Sequence, residues 1–263
     1  DANHNDIFDD DELAVIRSVT NLEIKGLPRW DDTAGIEQFT SLQTLLVDRQ
    51  STVTELDLSG NTQLQSVTLN QCQDLETVII GDNPNLTKLV ITGCKLNEID
   101  VSGAPNLVEL RLNKNNLTSL DVSNNPNLET LLVNSNSALS SLNVSSCTSL
   151  LELNFSYTAV THIDISDCPY LIGEYINSGS ASSSYLVRDG SNIYRLVLPS
   201  ASTTVTHNFS HVSGTKVDSV TSSSVSLSWN PVQLASGYAV YYNTSSSNKG
   251  TNVVYVTGTQ ASI

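Results

Sequence analysis

Twelve apolar anchors, Val53, Leu64, Leu75, Leu86, Leu96, Leu107, Leu117, Leu128, Leu139, Leu150, Val160 and Leu171, follow one another at intervals of ten or eleven residues. An interval this constant implies a chain that winds, each unit resting on the one before it, and not one that wraps a single irregular core. Within each unit the pattern L-x-x-L-x-L-x-x-N alternates apolar and polar positions with period two. That alternation predicts short strands, and no unit holds an apolar run long enough for a helical face.

The units also alternate in kind. VTELDLSGNTQ, LNEIDVSGAPN, LTSLDVSNNPN, LSSLNVSSCTS and VTHIDISDCPY form a first class, with LETVIIGDNPN as its odd member. LQSVTLNQCQD, LTKLVITGCK, LVELRLNKNN, LETLLVNSNSA and LLELNFSYTA lie between them and form a second. The true period is a pair of units, so each coil carries two strands, one on each side. This region, 53–171, resembles the nested leucine-rich repeats of bacterial surface proteins, in which ten- and eleven-residue units replace the usual strand and helix. The expected fold is mainly β: a leucine-rich-repeat β-solenoid with strands on two faces and a rod length of about 26 Å.

Residues 1–52 read as an N-terminal cap with the first repeats. The opening DANHNDIFDDDE places Asp1, Asn3, Asn5, Asp9 and Glu12 at positions one, three, five, nine and twelve of an EF-hand loop, with the Ile7 carbonyl at seven. Those oxygens make the segment a candidate calcium site, and calcium the one cofactor expected. Caps of this type occur in the family just named. A short helix through Leu13, Val15 and Ile16 should follow, and Gly35 to Val47 resembles the usual lead into the first strands.

Beyond Leu171 the repeat dissolves. Residues 172–212 read as a cap: SYLVRDGSNIYRLVLP carries a hairpin signal at Asp189-Gly190, and SASTTVTHNFSH one more strand. A hairpin there would cover the unpaired end of the solenoid. Residues 213–263 resemble the first half of a fibronectin type III domain. Val225, Leu227 and Trp229 match its second strand, Pro231 follows, and Tyr238, Val240 and Tyr242 match its third. Because a whole sandwich needs seven strands, the tail reads as a partial immunoglobulin-like module with an accessible or neighbour-filled face at Trp229.

The charge balance narrows the partners. With 27 Asp plus Glu against 12 Lys plus Arg, the net charge is −15, a field that repels phosphate. Nucleic acid and anionic membrane surfaces are therefore poor partners, and no apolar stretch reaches the length of a membrane span. The chain starts at Asp1 and not Met, so it reads as a mature or trimmed piece of a longer protein. Cys72, Cys94, Cys147 and Cys168 occupy the inward slot that holds Asn61, Asn83, Asn115, Asn125 and Asn136 in other units. Their parallel Cβ directions predict buried free thiols and not disulfides.

Two surface rows follow from the register. The first class presents Asp57, Ile79, Asp100, Asp121, Asn143 and Asp164, flanked by Ser59, Ser102, Ser123, Ser145 and Ser166. Stacked aspartates need an offsetting interaction, either local hydrogen bonds from those serines or calcium bridging Asp100 and Asp121. The second class presents Thr68, Val90, Arg111, Leu132 and Asn154, which differ from coil to coil. With Val108, Leu151 and Tyr157, the residues Val90, Arg111 and Leu132 form the candidate ligand-binding surface, apolar anchors within a polar rim. Enzyme signatures are scarce: His162 points outward while Cys168 points inward, and His207 and His211 lie four apart in a strand-like segment, where that spacing gives no helical metal face. The expected function is a non-enzymatic, monomeric, secreted or cell-surface bacterial module that binds a protein or glycan on host or neighbouring cells. The alternative is the targeting arm of a larger extracellular hydrolase.

Overall fold

The computed structural model describes residues 9–26, 33–50, 52–171, 184–189, 192–200, 202–207, 216–221, 224–229, 238–242, 252–256, 258 and 260–262. Helix α1 (Asp10–Ser18) and strand β1 (Asn21–Lys25) lead through a 3-10 turn (Ile36–Gln38) to β2 (Thr44–Asp48). The repeats supply β3 (Glu55–Asp57), β4 (Ser66–Asn70), β5 (Thr77–Ile79), β6 (Lys88–Thr92), β7 (Glu109–Arg111), β8 (Ser119–Asp121), β9 (Thr130–Leu132), β10 (Ser141–Asn143), β11 (Glu152–Asn154) and β12 (His162–Asp164). After them come β13 (Ser184–Asp189), β14 (Asn192–Val197), β15 (Thr204–Thr206), β16 (Lys216–Val220), β17 (Val225–Ser228), β18 (Tyr238–Tyr242), β19 (Asn252–Val256) and β20 (Gln260–Ser262).

The second-class strands form one sheet in the order β1-β2-β4-β6-β7-β9-β11-β14-β13. Every neighbouring pair is parallel except the last, where β13 and β14 make the expected hairpin, Asp189 opposite Asn192. The hairpin thus extends the solenoid's sheet by β14 and ends it with an antiparallel edge. The first-class side differs: it breaks into the separate ladders β3-β5, β8-β10 and β12-β15. The added strand expected after the hairpin is β15, parallel to β12.

The breaks fall where a ten-residue unit leads into a first-class strand, although second-class strands 21 residues apart, starting at 88, 109 and 130, still pair. The paired first-class strands β3 and β5, and β8 and β10, start 22 residues apart, whereas β10 and β12, 21 apart, do not pair, and residues 95–101 of the coil between β5 and β8 hold no strand. In eleven-residue units the anchor amide closes a turn onto the slot carbonyl three residues back, as Leu64 does on Asn61 at 3.1 Å and Leu128 on Asn125 at 3.1 Å. The ten-residue units ending at Leu96 and Leu117 are one residue too short for this turn. Their anchor amides bond instead to side-chain oxygens, Leu96 to Asn115 at 3.2 Å and Leu117 to Asn136 at 3.1 Å. The lost residue comes from the turn that leads into a first-class strand, so that side alone loses register.

The core is the stack of anchors and their inward partners, among them Leu64, Leu86, Leu107, Leu110, Leu128, Leu131, Leu153 and Phe155, all essentially inaccessible. The slot column is buried throughout. Asn61, Asn83, Asn115, Asn125 and Asn136 donate their amides to turn carbonyls of their own coil, the preceding coil or both, for example Asn125 to Val101 at 3.0 Å and Ala104 at 2.8 Å. Four slots hold the free, buried thiols of Cys72, Cys94, Cys147 and Cys168, as expected. Burial pushes the Cys147 and Cys168 thiols up to about 12. The hydrogen bond with the Cys72 thiol, followed by burial, pushes Cys94 up as well.

The expected N-terminal helix is present but buries none of its residues, and Val15 is exposed. Asp9 is its N-cap: the Asp9 carboxylate accepts from the Glu12 amide at 3.0 Å, and the Glu12 carboxylate accepts from the Asp9 amide at 3.2 Å. This capping box engages both acidic residues of the candidate calcium loop that can be seen. Asp1, Asn3, Asn5 and Ile7 lie outside the described residues. Strand β1, which extends the sheet ahead of β2, carries the apolar spacing of the repeats at Val19, Leu22 and Ile24, ahead of the counted anchors. In the tail, β16-β17-β20 form one antiparallel sheet and β18-β19 another. Trp229 is 7% exposed, so of the two alternatives expected there the accessible face does not occur. Among the described residues no helix is long and apolar enough to cross a membrane.

Candidate functional site

Register places the outward second-class residues in one row across the large sheet: Leu46, Thr68, Val90, Arg111, Leu132 and Asn154 lie opposite one another in turn. A parallel ladder spaces such neighbours about 4.8 Å apart. Arg111 and Leu132 are half-buried in this row. Two residues earlier on each strand, Lys88 and Glu109 are also partners. The Lys88 ammonium reaches the Glu109 carboxylate at 3.0 Å, and the Arg111 guanidinium meets the same group from the other side. Burial alone would raise the Glu109 carboxyl, but the hydrogen bonds from Lys88 and Arg111 outweigh it and hold the group below its ordinary value.

This trio corrects the expectation for Val90. Its place in the outward row is as expected, yet it is only 9% exposed; Lys88 precedes it by two residues on the same strand and Arg111 is its register partner. Val108 and Leu151 are half-buried and sit just before their strands, where Val108 bonds back to Thr87 and Leu151 to Glu129. Tyr157 lies beyond the other end of the strands and is 78% exposed. Six candidate residues therefore occupy three levels of one face. The structure brings Val90, Arg111 and Leu132 together and leaves the others flanking them. Leu46 completes the row from ahead of the first counted repeat, and its half-buried side chain was missed because β2 precedes Val53.

The first-class face is built differently. Asp57, Asp100, Asp121 and Asp164 each accept from the amide of the serine two residues on at 2.9 Å, and Asn143 does the same with Ser145 at 3.0 Å. The serine hydroxyl, followed by the serine amide, holds each aspartate below the ordinary carboxylate range. Local bonding therefore provides the offsetting interaction. Among the described residues no group of three or more His, Cys, Asp or Glu side chains is placed to hold a metal ion. Where register is lost, shallow grooves open: one of about 620 Å³ beside Ile79, Glu98, Asp100 and Asp121, and one of about 410 Å³ between β10 and β12.

A pH dependence follows from these turns. Carboxylates whose folded pKa is depressed contribute stability above about pH 4, their unfolded value, and lose it as pH falls through the lower folded values. Thermal midpoints measured between about pH 5 and about pH 3 should therefore fall less steeply for the double variant Asp100→Asn, Asp121→Asn than for the parent. Asn143 shows that an amide oxygen satisfies the same turn, so the variant should fold. Parallel curves for the two proteins would mean that the serine turns do not couple to protonation.

The structure is similar to the functional domain of InlJ from Listeria monocytogenes, which includes a cysteine ladder: TM-score 0.50, 30% identity, covering 59% of this chain and 34% of that one. An internalin, inlF, from Listeria monocytogenes str. 4b F2365 gives a TM-score of 0.31 at 19% identity, covering 58% of this chain and 59% of that one. The fold is a leucine-rich-repeat β-solenoid. This chain spans about a third of the InlJ chain's length. No family model matches it, and no curated protein does.

Proposed function

We propose that this chain is a non-enzymatic module of a bacterial surface protein and binds a protein partner through the outward face of its nine-stranded sheet. The observation that carries this reading is the contrast between the two faces. The first-class row repeats one Asp-Ser turn from coil to coil, whereas the Leu46, Thr68, Val90, Arg111, Leu132, Asn154 row varies on a rigid ladder. Only a surface that differs from place to place can favour one partner over another. Likeness to Listeria internalins supports surface display. In the tail, β16-β17-β20 and β18-β19 would supply five strands of a fibronectin-like spacer.

A screen against an array of host extracellular protein domains tests the reading. For a domain that binds, the double variant Arg111→Ala, Leu132→Ala should weaken affinity by more than about 2 kcal/mol, the scale of an interface hot spot. The double variant Asp100→Asn, Asp121→Asn should leave that affinity nearly intact. The reverse pattern would place the binding surface on the other side of the solenoid.

A further inference from the structure

We propose that the coil between β5 and β8 opens a docking groove on the first-class face for an extended, arginine-bearing segment of a protein, separate from the row on the large sheet. On that face β3 pairs with β5, β8 with β10 and β12 with β15, but Glu98, Ile99 and Asp100 make no backbone hydrogen bond to either neighbouring coil among the described residues. The gap reaches the core. Leu56, Val78, Leu120, Leu142 and Ile163 hold the inward place of their strands and are buried, whereas Ile99, in the same place, is half-buried. Ile79, the one apolar residue in the outward row of this face, is 40% exposed. The two isoleucines line one groove of about 620 Å³ together with Asp82, Glu98, Asp100 and Asp121.

Carboxylates on a rim do not by themselves make a site, and the same Asp-Ser turn occurs at Asp164 on a closed ladder. What distinguishes the groove is an uncovered apolar floor with negative charge around it. None of its lining residues is Lys, Arg or His, and Lys95, the cation nearest to Glu98 along the chain, is held by Asp74 at 2.8 Å. Asp82 and Glu98 have no hydrogen-bond or ion-pair partner among the described residues. The serine turns fix Asp100 and Asp121 in place without exhausting them, since a carboxylate accepts at about four sites.

Charge complementarity and the apolar floor select the occupant. A metal ion is not matched, because among the described residues no three of these carboxylates are grouped to hold one. An apolar or acidic segment would bury the carboxylates without compensation. Arginine answers both parts of the groove: its methylene stem lies along apolar surface while its head stays with the charge. The planar guanidinium, more weakly hydrated than an ammonium, also pairs a carboxylate through two parallel N–H bonds. In an extended segment alternate residues face the groove, and Glu98 to Asp100 leave peptide groups unpaired that its backbone can bond.

The test is fluorescence anisotropy of a fluorescein-labelled hexa-arginine peptide titrated with the full chain at about 0.15 M salt. The double variant Asp100→Asn, Asp121→Asn should weaken its affinity by about tenfold. Asp164→Asn with Glu129→Gln removes the same charge away from the groove and should stay within about twofold. Ile79→Asn leaves the charge unaltered, in a row that already holds Asn143, and should still cost about fivefold, which a diffuse acidic field would not produce. The proposal is overturned if the peptide does not bind below about 1 mM, if the two double variants weaken it equally, if Ile79→Asn binds as tightly as the parent, or if spermine or hexa-lysine matches hexa-arginine in affinity. Because every variant keeps Arg111 and Leu132, failure here leaves the protein-binding reading of the large sheet standing.

Discussion

Replacing Asn136 by Ala should lower the unfolding free energy by about 3–5 kcal/mol, more than the same change at Asn125. Both side chains are fully buried and both donate two hydrogen bonds, Asn136 to Leu112 and Val133 and Asn125 to Val101 and Ala104. The difference lies in the acceptor. The Asn136 oxygen takes the Leu117 amide at 3.1 Å, whereas the Asn125 oxygen meets no donor in the protein. Leu117 ends a ten-residue unit and has no turn carbonyl to use, so Asn136→Ala strands a buried N–H at a cost of about 1–3 kcal/mol beyond the lost donors. Denaturant midpoints of the two variants measure the gap. Equal losses would mean that the short units do not depend on the side chain of the following coil.

Leu110→Ala should destabilise by about 2–5 kcal/mol through lost burial and the cavity left behind. Leu110 is inaccessible at the centre of the large sheet, opposite Leu89 on β6 and Leu131 on β9. Neighbours on both sides hold those leucines in register, so the site has little freedom to collapse, which places the loss in the upper part of the range. Leu132→Ala, one residue from Leu131 but facing outward, should cost far less. A midpoint unchanged by Leu110→Ala would mean that the inward register is misassigned along the whole ladder, because a slip of one residue exchanges the two faces.

Much of the architecture was legible because burial in a stacked coil is periodic. The anchors Val53 to Leu171 and the shared slot of Asn and Cys residues marked which side chains face inward, and the structure buries all of them. The Asp-Ser turns were legible for a similar reason, since a short carboxylate two residues ahead of an amide bonds locally whatever surrounds it. The hairpin at Asp189 could be read from local turn chemistry alone. Strand β1 was not counted among the units, although Val19, Leu22 and Ile24 repeat their apolar spacing, because it stands ahead of the regular run of anchors; pairing with β2 brings it into the sheet.

What the sequence determined by itself was the winding, its two alternating faces and the inward and outward sense of each residue, because these depend on spacing along the chain. What only the tertiary structure decided was how the coils meet. Ten- and eleven-residue units look nearly equivalent in sequence, yet one missing residue at Leu96, Leu117 or Val160 leaves the second-class sheet continuous and interrupts the first-class ladders. The low exposure of Val90 within an outward row and the bridging of Glu109 by Lys88 and Arg111 belong to the same level. Each depends on which residues from coils some 21 or 22 positions apart come to lie side by side, and ladder hydrogen bonding fixes that register only when the coils stack.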